Sequence, residues 1–258
     1  MTHKNNVGEF SYNTSFNISF NKSEVKKFPN PSIGEKIYAE GHEWGAFYGY
    51  EYIGLYQTDE QVATAPKVAG TPVQKGDLMF KDQNDDEKIT ADDRIDLGGT
   101  EVPGITYGIN LDIRYKKFDL TLRGQGTADV YQRLANNILF PFYNGYKAQK
   151  ADLDRWTPEN PNAGNPIIHV NQRHNYTTNS SFVTRKSNYF RLKSIQLGYT
   201  FDHLFDLDKV RLYVSGQNVL TFMNSQLRDR GFDPESPSSA NTVYPNTKIF
   251  IAGINVNF

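Results

Sequence analysis

From Phe10 to Phe20, apolar and polar residues alternate almost without a break. Phe10, Tyr12, Thr14, Phe16, Ile18 and Phe20 fall on one side, and Glu9, Ser11, Asn13, Ser15, Asn17, Ser19 and Asn21 on the other. A period of two sends successive side chains to opposite faces of an extended chain, so this stretch is a strand. It outruns the ~5–6 residues of an ordinary globular strand. It matches the ~9–11 residues a tilted strand needs to cross a bilayer.

The pattern recurs. Ile105, Tyr107, Ile109, Leu111, Ile113 and Tyr115 share a face opposite Thr106, Asn110, Asp112 and Arg114. A tight turn at Lys116–Lys117 leads into Phe118, Leu120 and Leu122, which alternate with Asp119, Thr121 and Arg123. Ile195, Leu197, Tyr199 and Phe201 form another apolar face. A short link from Asp202 to Lys209 joins it to Val210, Leu212 and Val214, alternating with Arg211, Tyr213 and Ser215. The chain closes on Phe250, Ala252, Ile254, Val256 and Phe258, alternating with Ile251, Gly253, Asn255 and Asn257.

Between these strands lie long polar segments, at about 22–46, 57–104, 127–187 and 223–247, rich in Asn, Asp, Pro, Ser and Gly. Short turns alternating with long loops are the plan of outer-membrane barrels. Short helices are expected within the loops at Leu134–Phe140 and Ala148–Trp156. Arg114, Arg123 and Arg211 sit mid-strand. On a lipid face each would cost ~2–4 kcal/mol near the midplane, so a wet lumen suits them.

Composition agrees. Aromatics make up 14% of the 258 residues, with 16 Tyr and 17 Phe, yet mean hydropathy is −0.62. Interleaved apolar and polar residues give that pair of values in a transmembrane barrel, and also in a soluble β-sandwich. A net charge of −1 offers no basic footprint for nucleic acid. Cysteine is absent, which excludes disulfides and thiol chemistry. No apolar run approaches the ~20 residues of a membrane helix. Met1 is followed by Thr2, His3, Lys4, Asn5 and Asn6 with no apolar core behind them. No signal peptide is therefore expected here, and the strands favour a chain that lacks its true N-terminus.

Collinear motifs then resemble the SusC/RagA family of TonB-linked outer-membrane transporters. They begin with Gly45-Ala46-Phe47-Tyr48-Gly49-Tyr50-Glu51-Tyr52, running on to Gly54-Leu55-Tyr56-Gln57. Next come Gly76-Asp77-Leu78 with Lys81-Asp82-Gln83-Asn84, and Arg155-Trp156-Thr157-Pro158-Glu159-Asn160-Pro161. Tyr189-Phe190-Arg191-Leu192-Lys193 and Gln196-Leu197-Gly198-Tyr199 follow. Ser215-Gly216-Gln217-Asn218 with Thr221-Phe222, then Gly231-Phe232-Asp233-Pro234-Glu235 and Tyr244-Pro245, complete the order.

The resemblance implies an all-β fold: residues 1–258 as the C-terminal antiparallel strands of a large transmembrane barrel with long extracellular loops. The barrel would be incomplete, without signal peptide, plug or first strands, and would carry an open edge. It implies import of oligosaccharides or peptides across the bacterial outer membrane, without catalysis. Its partners would be a SusD-like surface lipoprotein, TonB through the missing N-terminal part, and outer-membrane lipid. Phe250, Ile254, Val256 and the terminal Phe258 would then be the signal read at insertion. The alternative is a soluble β-sandwich that binds carbohydrate.

Asp82 to Asp93 has calcium-loop spacing, with Asp82, Asn84, Asp86, the Lys88 carbonyl, Thr90 and Asp93 at positions 1, 3, 5, 7, 9 and 12. Hard oxygens suit a structural Ca²⁺. Glu87 stands where the sharp turn normally requires Gly, which favours a solvated acidic turn instead. Trp44, Phe47, Tyr48, Tyr50 and Trp156 are candidate ligand contacts, since sugar rings stack on aromatic faces. An interfacial girdle or packing against a neighbouring strand is the favoured reading of Trp44 to Tyr52. Phe142, Tyr143 and Tyr146 share a long loop with Trp156. The five histidines, His3, His42, His169, His174 and His203, lack zinc spacing, and no nucleophile elbow, phosphate loop or dinucleotide fingerprint is present.

Overall fold

The computed structural model describes residues 1–134, 136–145, 147–169, 179–204, 207–235 and 246–257. Its frame is one antiparallel sheet of seven strands. These are β1 (Thr2–Val7), β2 (Phe10–Phe20), β3 (Ile105–Tyr115), β4 (Phe118–Ala128), β5 (Tyr189–Leu204), β6 (Leu207–Met223) and β7 (Ile249–Asn257). They pair in chain order, with β1 and β7 at the edges. Short connections, at residues 8–9 and 116–117 among the described ones, lie at one end of the sheet. Lys116 takes a left-handed φ of 54° to make the second of these turns.

The register preserves the alternation across the sheet. Tyr12 stands opposite Ile113 and Asn13 opposite Asp112, Leu120 opposite Leu197 and Thr121 opposite Gln196. From β2 to β7 one face is therefore mainly apolar and the other mainly polar. The apolar face is uncovered: Leu212 is 45% exposed, Phe222 62% and Phe250 74%. No second sheet packs on it among the described residues, which does not favour the β-sandwich alternative. A bulge near Arg123/Gly124 and Leu192/Ser194 shifts the register between β4 and β5. β5 and β6, at 16 and 17 residues, exceed what a bilayer requires. β1, with its polar run Thr-His-Lys-Asn-Asn-Val, shows no alternation; its pairing with β2 supplies the register.

The long polar segments are not loose loops. Residues 21–104, 129–188 and 224–248 connect the strands at the opposite end, and their described parts fold together into one cap. Its core takes Tyr50, Leu55, Leu78, Phe80 and Ile89 from the first connection. Leu134, Leu139, Phe140, Trp156, Ala163, Phe182 and Val183 come from the second, and Leu227 from the third. Polar composition concealed this core because its apolar members are scattered. The cap holds a small four-stranded sheet, Ser32–Ile33, Lys36–Tyr38, Ala46–Tyr50 and Arg94–Asp96, and two ribbons. One ribbon is Tyr52–Leu55 with Leu78–Phe80; the other is Tyr131–Arg133 with Thr184–Lys186. The two expected helices shrink to single turns, at Asn136–Leu139 and Lys150–Leu153, the latter a 3₁₀ turn. No described helix is long and apolar enough to cross a membrane.

Candidate functional site: the polar face of the wall and its cap

Strand parity sets Asp112, Arg114, Asp119, Arg123, Gln196 and Arg211 on one face. Arg123 Nη2 donates to Asp112 Oδ1 at 2.8 Å, and Thr121 Oγ1 donates to the same oxygen. Arg211 grips Asp119 with both prongs, Nε to Oδ1 at 2.9 Å and Nη2 to Oδ2 at 2.5 Å. The fork geometry of a guanidinium matches a carboxylate in this way. Gly198 makes the room, because a Cβ there would lie 2.5 Å from both Arg211 Nη2 and Asp119 Oδ1. The face carries a cavity of about 540 Å³ whose lining includes Asp112, Arg114, Asp119, Thr121, Gln196 and Arg211. A surface of paired charges and amides can present alternating donors and acceptors to a polar solute.

The cap is tied to this face by ions. Arg191, on β5, donates through Nη2 to Asp233 Oδ1 at 2.8 Å and through Nη1 to Glu235, and its Nε donates to Thr221. Lys193 Nζ reaches Glu235 at 3.0 Å and Gln125 Nε2 donates to it. Arg191, Asp233 and Glu235 are nearly sealed from water. Burial alone would raise both carboxyls. For Asp233 the N–H groups of Glu235 and Asn246 and the Arg191 side chain outweigh it, and for Glu235 the Lys193 and Arg191 cations do so. Both are held below the usual carboxylate range.

A second ion cluster locks the cap internally. Arg230 donates to the Ile138 and Leu139 carbonyls, to Asp152 Oδ1 at 3.0 Å and to Asn165 Oδ1 at 2.7 Å. Burial pushes its pKa down against the pull of Asp152. Asp77, fully buried, meets His169 Nε2 at 2.5 Å. Tyr56 donates to the Pro66 carbonyl; burial and then the Asp77 charge push its phenol up to about 12.

The aromatic candidates divide. Trp156 is 5% exposed and its indole N–H donates to Gln57 Oε1 at 2.9 Å. It packs over Gly76, whose φ is +85° and where a Cβ would come within 2.6 Å of the ring. Phe47 is buried under Lys36, and Tyr50 is buried against Phe80. These three are core residues, because the connections fold over them. Tyr48 is half-buried with Arg94 above its ring. Trp44 is 51% exposed, with Phe28 and Tyr38 set edge-on at 5.4 and 5.0 Å.

The acidic loop makes its sharp turn without glycine, with Asp85 and Glu87 at φ 58° and 64°. Its oxygens serve the backbone. Asp82 accepts from the Glu87 N–H at 2.7 Å, Asn84 from Asp86, and Asp86 from Lys88. Thr90 Oγ1 accepts from Asp92, and Asp93 accepts from Gln83 and Thr90. Burial opposes, but the N–H groups of Thr90 and Gln83 hold the Asp93 carboxyl below its usual range. Among the described residues no group of three or more His, Asp or Glu is placed to hold a metal ion. Phe250, Ile254 and Val256 lie exposed on the apolar face of β7. Phe258, Tyr146, His174, Tyr244 and Pro245 fall outside the described residues.

Reading residue by residue missed both ion clusters. Arg191 and Lys193 share the parity of the apolar Ile195 and Leu197, and the bulge between Leu192 and Ser194 is what turns Arg191 to the polar face opposite Gln125. An acid stands on each side of Pro234 in the sequence, but only the fold brings them together.

A twisted antiparallel sheet, apolar on one face and paired-polar on the other, with its folded connections gathered at one end, is a sector of barrel wall of the outer-membrane type. No family model matches the chain. It is 33% identical to TonB-dependent receptor P3 of Formosa agariphila, over 97% of this chain and 27% of that protein. It is 27% identical to TonB-dependent receptor P26 of the same organism, over 84% of this chain and 23% of that protein. It is 23% identical to TonB-dependent receptor SusC of Bacteroides thetaiotaomicron, over 97% of this chain and 25% of that protein. The fold is that of the solved RagAB peptide importer in its closed-closed state, with a TM-score of 0.72 at 20% identity, over all of this chain and 28% of that one. The open-open state gives a TM-score of 0.69. The chain is a relative of the SusC/RagA-type TonB-dependent receptors, and it spans about a quarter of the length of the relatives it matches.

Proposed function

We propose that this chain supplies wall strands and the outer cap of a TonB-dependent importer in the bacterial outer membrane. It moves oligosaccharides or peptides and does not transform them. The observation that carries the reading is the two-faced sheet. Its bare apolar face would aggregate in water and suits lipid, while its paired-charge face suits a wet lumen. The domain reading follows: residues 1–258 form one contiguous part of a larger barrel. Both edge strands offer unpaired backbone groups for further wall strands. A SusD-like lipoprotein would sit over the cap, and TonB would act through protein outside these residues.

Two measurements test this. Detergent-solubilised outer membranes, probed with an antibody to residues 207–223, are expected to give a heat-modifiable band. Cells lacking the gene are expected to lose uptake of one cargo class, oligosaccharide or peptide, while monosaccharide and amino-acid growth stays intact. A soluble product, or unchanged uptake of both classes, would remove the reading.

A further inference from the structure

Arg185 is the middle residue of the short strand Thr184–Lys186 in the cap. It is half-buried, and its guanidinium carbon stands 4.6 Å from the centre of the Phe182 ring. That is a cation–π contact. Among the other half-buried or buried arginines of the cap, Arg94, Arg133 and Arg230 have polar partners, while the Arg155 side chain has none among the described residues and no aromatic face under it. Arg133 donates to Asn179, and Arg230 holds Asp152 and Asn165. Arg185 has no hydrogen bond and no carboxylate partner among the described residues. Its cross-strand neighbour Gln132 does not serve it, for Gln132 Oε1 is buried and accepts nothing. Burial pushes the Arg185 pKa down and the Arg230 cation repels it, while the Tyr52 phenol, itself pushed up by burial, stays neutral and supplies no counter-charge.

A guanidinium stays charged at neutral pH and carries five N–H donors in its plane. Phe182 engages its face, and among the described residues nothing accepts from the donors at its edge. A cation withdrawn from water without a counter-charge is unfavourable, and an anion reaching it relieves that cost. The planar fork fits a carboxylate through two parallel hydrogen bonds.

The geometry points to Arg185 as an anion-receiving residue of the cap, taking a carboxylate of the cargo in its plane while Phe182 packs its face. Two kinds of cargo present that group: an oligosaccharide containing uronic acid, and a peptide with a free C-terminus. The inference rests on the import reading and narrows its cargo to carboxylate-bearing molecules.

The test uses the full receptor purified from outer membranes, with two matched probe pairs in a calorimetric titration. One pair is trigalacturonate and its methyl ester; the other is the tripeptide Gly-Gly-Leu and its C-terminal amide. The wild type is expected to bind the acid of one pair at least tenfold more tightly than its neutral mate, and the pair that discriminates names the source. Arg185→Met is expected to abolish the preference and leave the neutral probe's affinity unchanged. Arg185→Lys, which keeps the charge without the fork, is expected to retain only part of it, and it carries the test if the Met variant fails to fold. No acid preference in either wild-type pair overturns the proposal, as does a full preference in the folded Met variant, or in the Lys variant where it stands in. Failure of the import reading is scored separately, by absence of the wild-type chain from the outer-membrane fraction.

Discussion

Leu78 and Leu212 are the same residue type in opposite surroundings. Leu78, in the cap, has no exposed surface, whereas Leu212, on the wall, is 45% exposed. The cap follows the rule of water-soluble domains, with apolar groups inside and ions tying connection to connection. The wall inverts it, with ions on its inner face and apolar groups outside. On the import reading the same chain meets two solvents, and the sense of burial changes where strands give way to connections.

The largest expected break in this contrast is Arg191→Met. It leaves Asp233 buried with backbone N–H donors alone and Glu235 with Lys193 as its remaining cation, and losing one partner of a buried ion pair costs about 3–5 kcal/mol. The cap should open to limited proteolysis near residue 230 while the wall keeps its heat-modifiable mobility. Leu78→Ala should cost the cap about 3 kcal/mol through lost burial and a cavity, read as a lowered thermal midpoint. Leu197→Arg, on the outer face of the wall, should cost about 2–4 kcal/mol if that face meets lipid near the midplane, read as reduced membrane assembly. Normal assembly of that variant would mean the face is not in lipid.

Acidification sharpens the comparison further. Asp233 and Glu235 are held below the ordinary carboxylate range in the folded cap, so the folded state binds fewer protons there than the unfolded one. Their contribution is complete above the ordinary values of about 4 and is lost as pH falls through the lowered ones. The cap's thermal midpoint should drop across that window, and Arg191→Met should flatten the drop. The smallest effect is Glu87→Gly. At φ 64° glycine removes about 1 kcal/mol of left-handed strain, and the cap's thermal midpoint should rise slightly.

The wall was legible in the sequence because its signal is local. Alternation in β2 to β7 is visible within each strand, and the polar parity of Arg123 and Arg211 points to the lumen without any tertiary knowledge. β1 was not legible, because its polar run has no apolar rhythm and its register comes from β2. The cap was hidden for a different reason. Tyr50, Leu134 and Leu227 belong to three separate connections, and nothing near any one of them announces the others. Phe47, Tyr50 and Trp156 are candidates for stacking a sugar ring, with packing the favoured reading for Phe47 and Tyr50. They are core because the loops are a domain. Arg191 meets Glu235 from 44 residues away, and Arg230 meets Asp152 from 78, distances at which sequence pattern carries no pairing information.

The shared core of the three connections has a consequence for the order of events during biogenesis. Leu227 completes a cluster whose first member is Tyr50, so, on the import reading, the first connection is expected to reach its final packing only once the third has been delivered to the same side of the membrane. The outer surface therefore matures last and all at once, after the strands that flank it are in place. An exchange of a single connection between relatives would leave a mismatched interior, so any change of cargo preference carried by this surface is expected to travel as a block of all three.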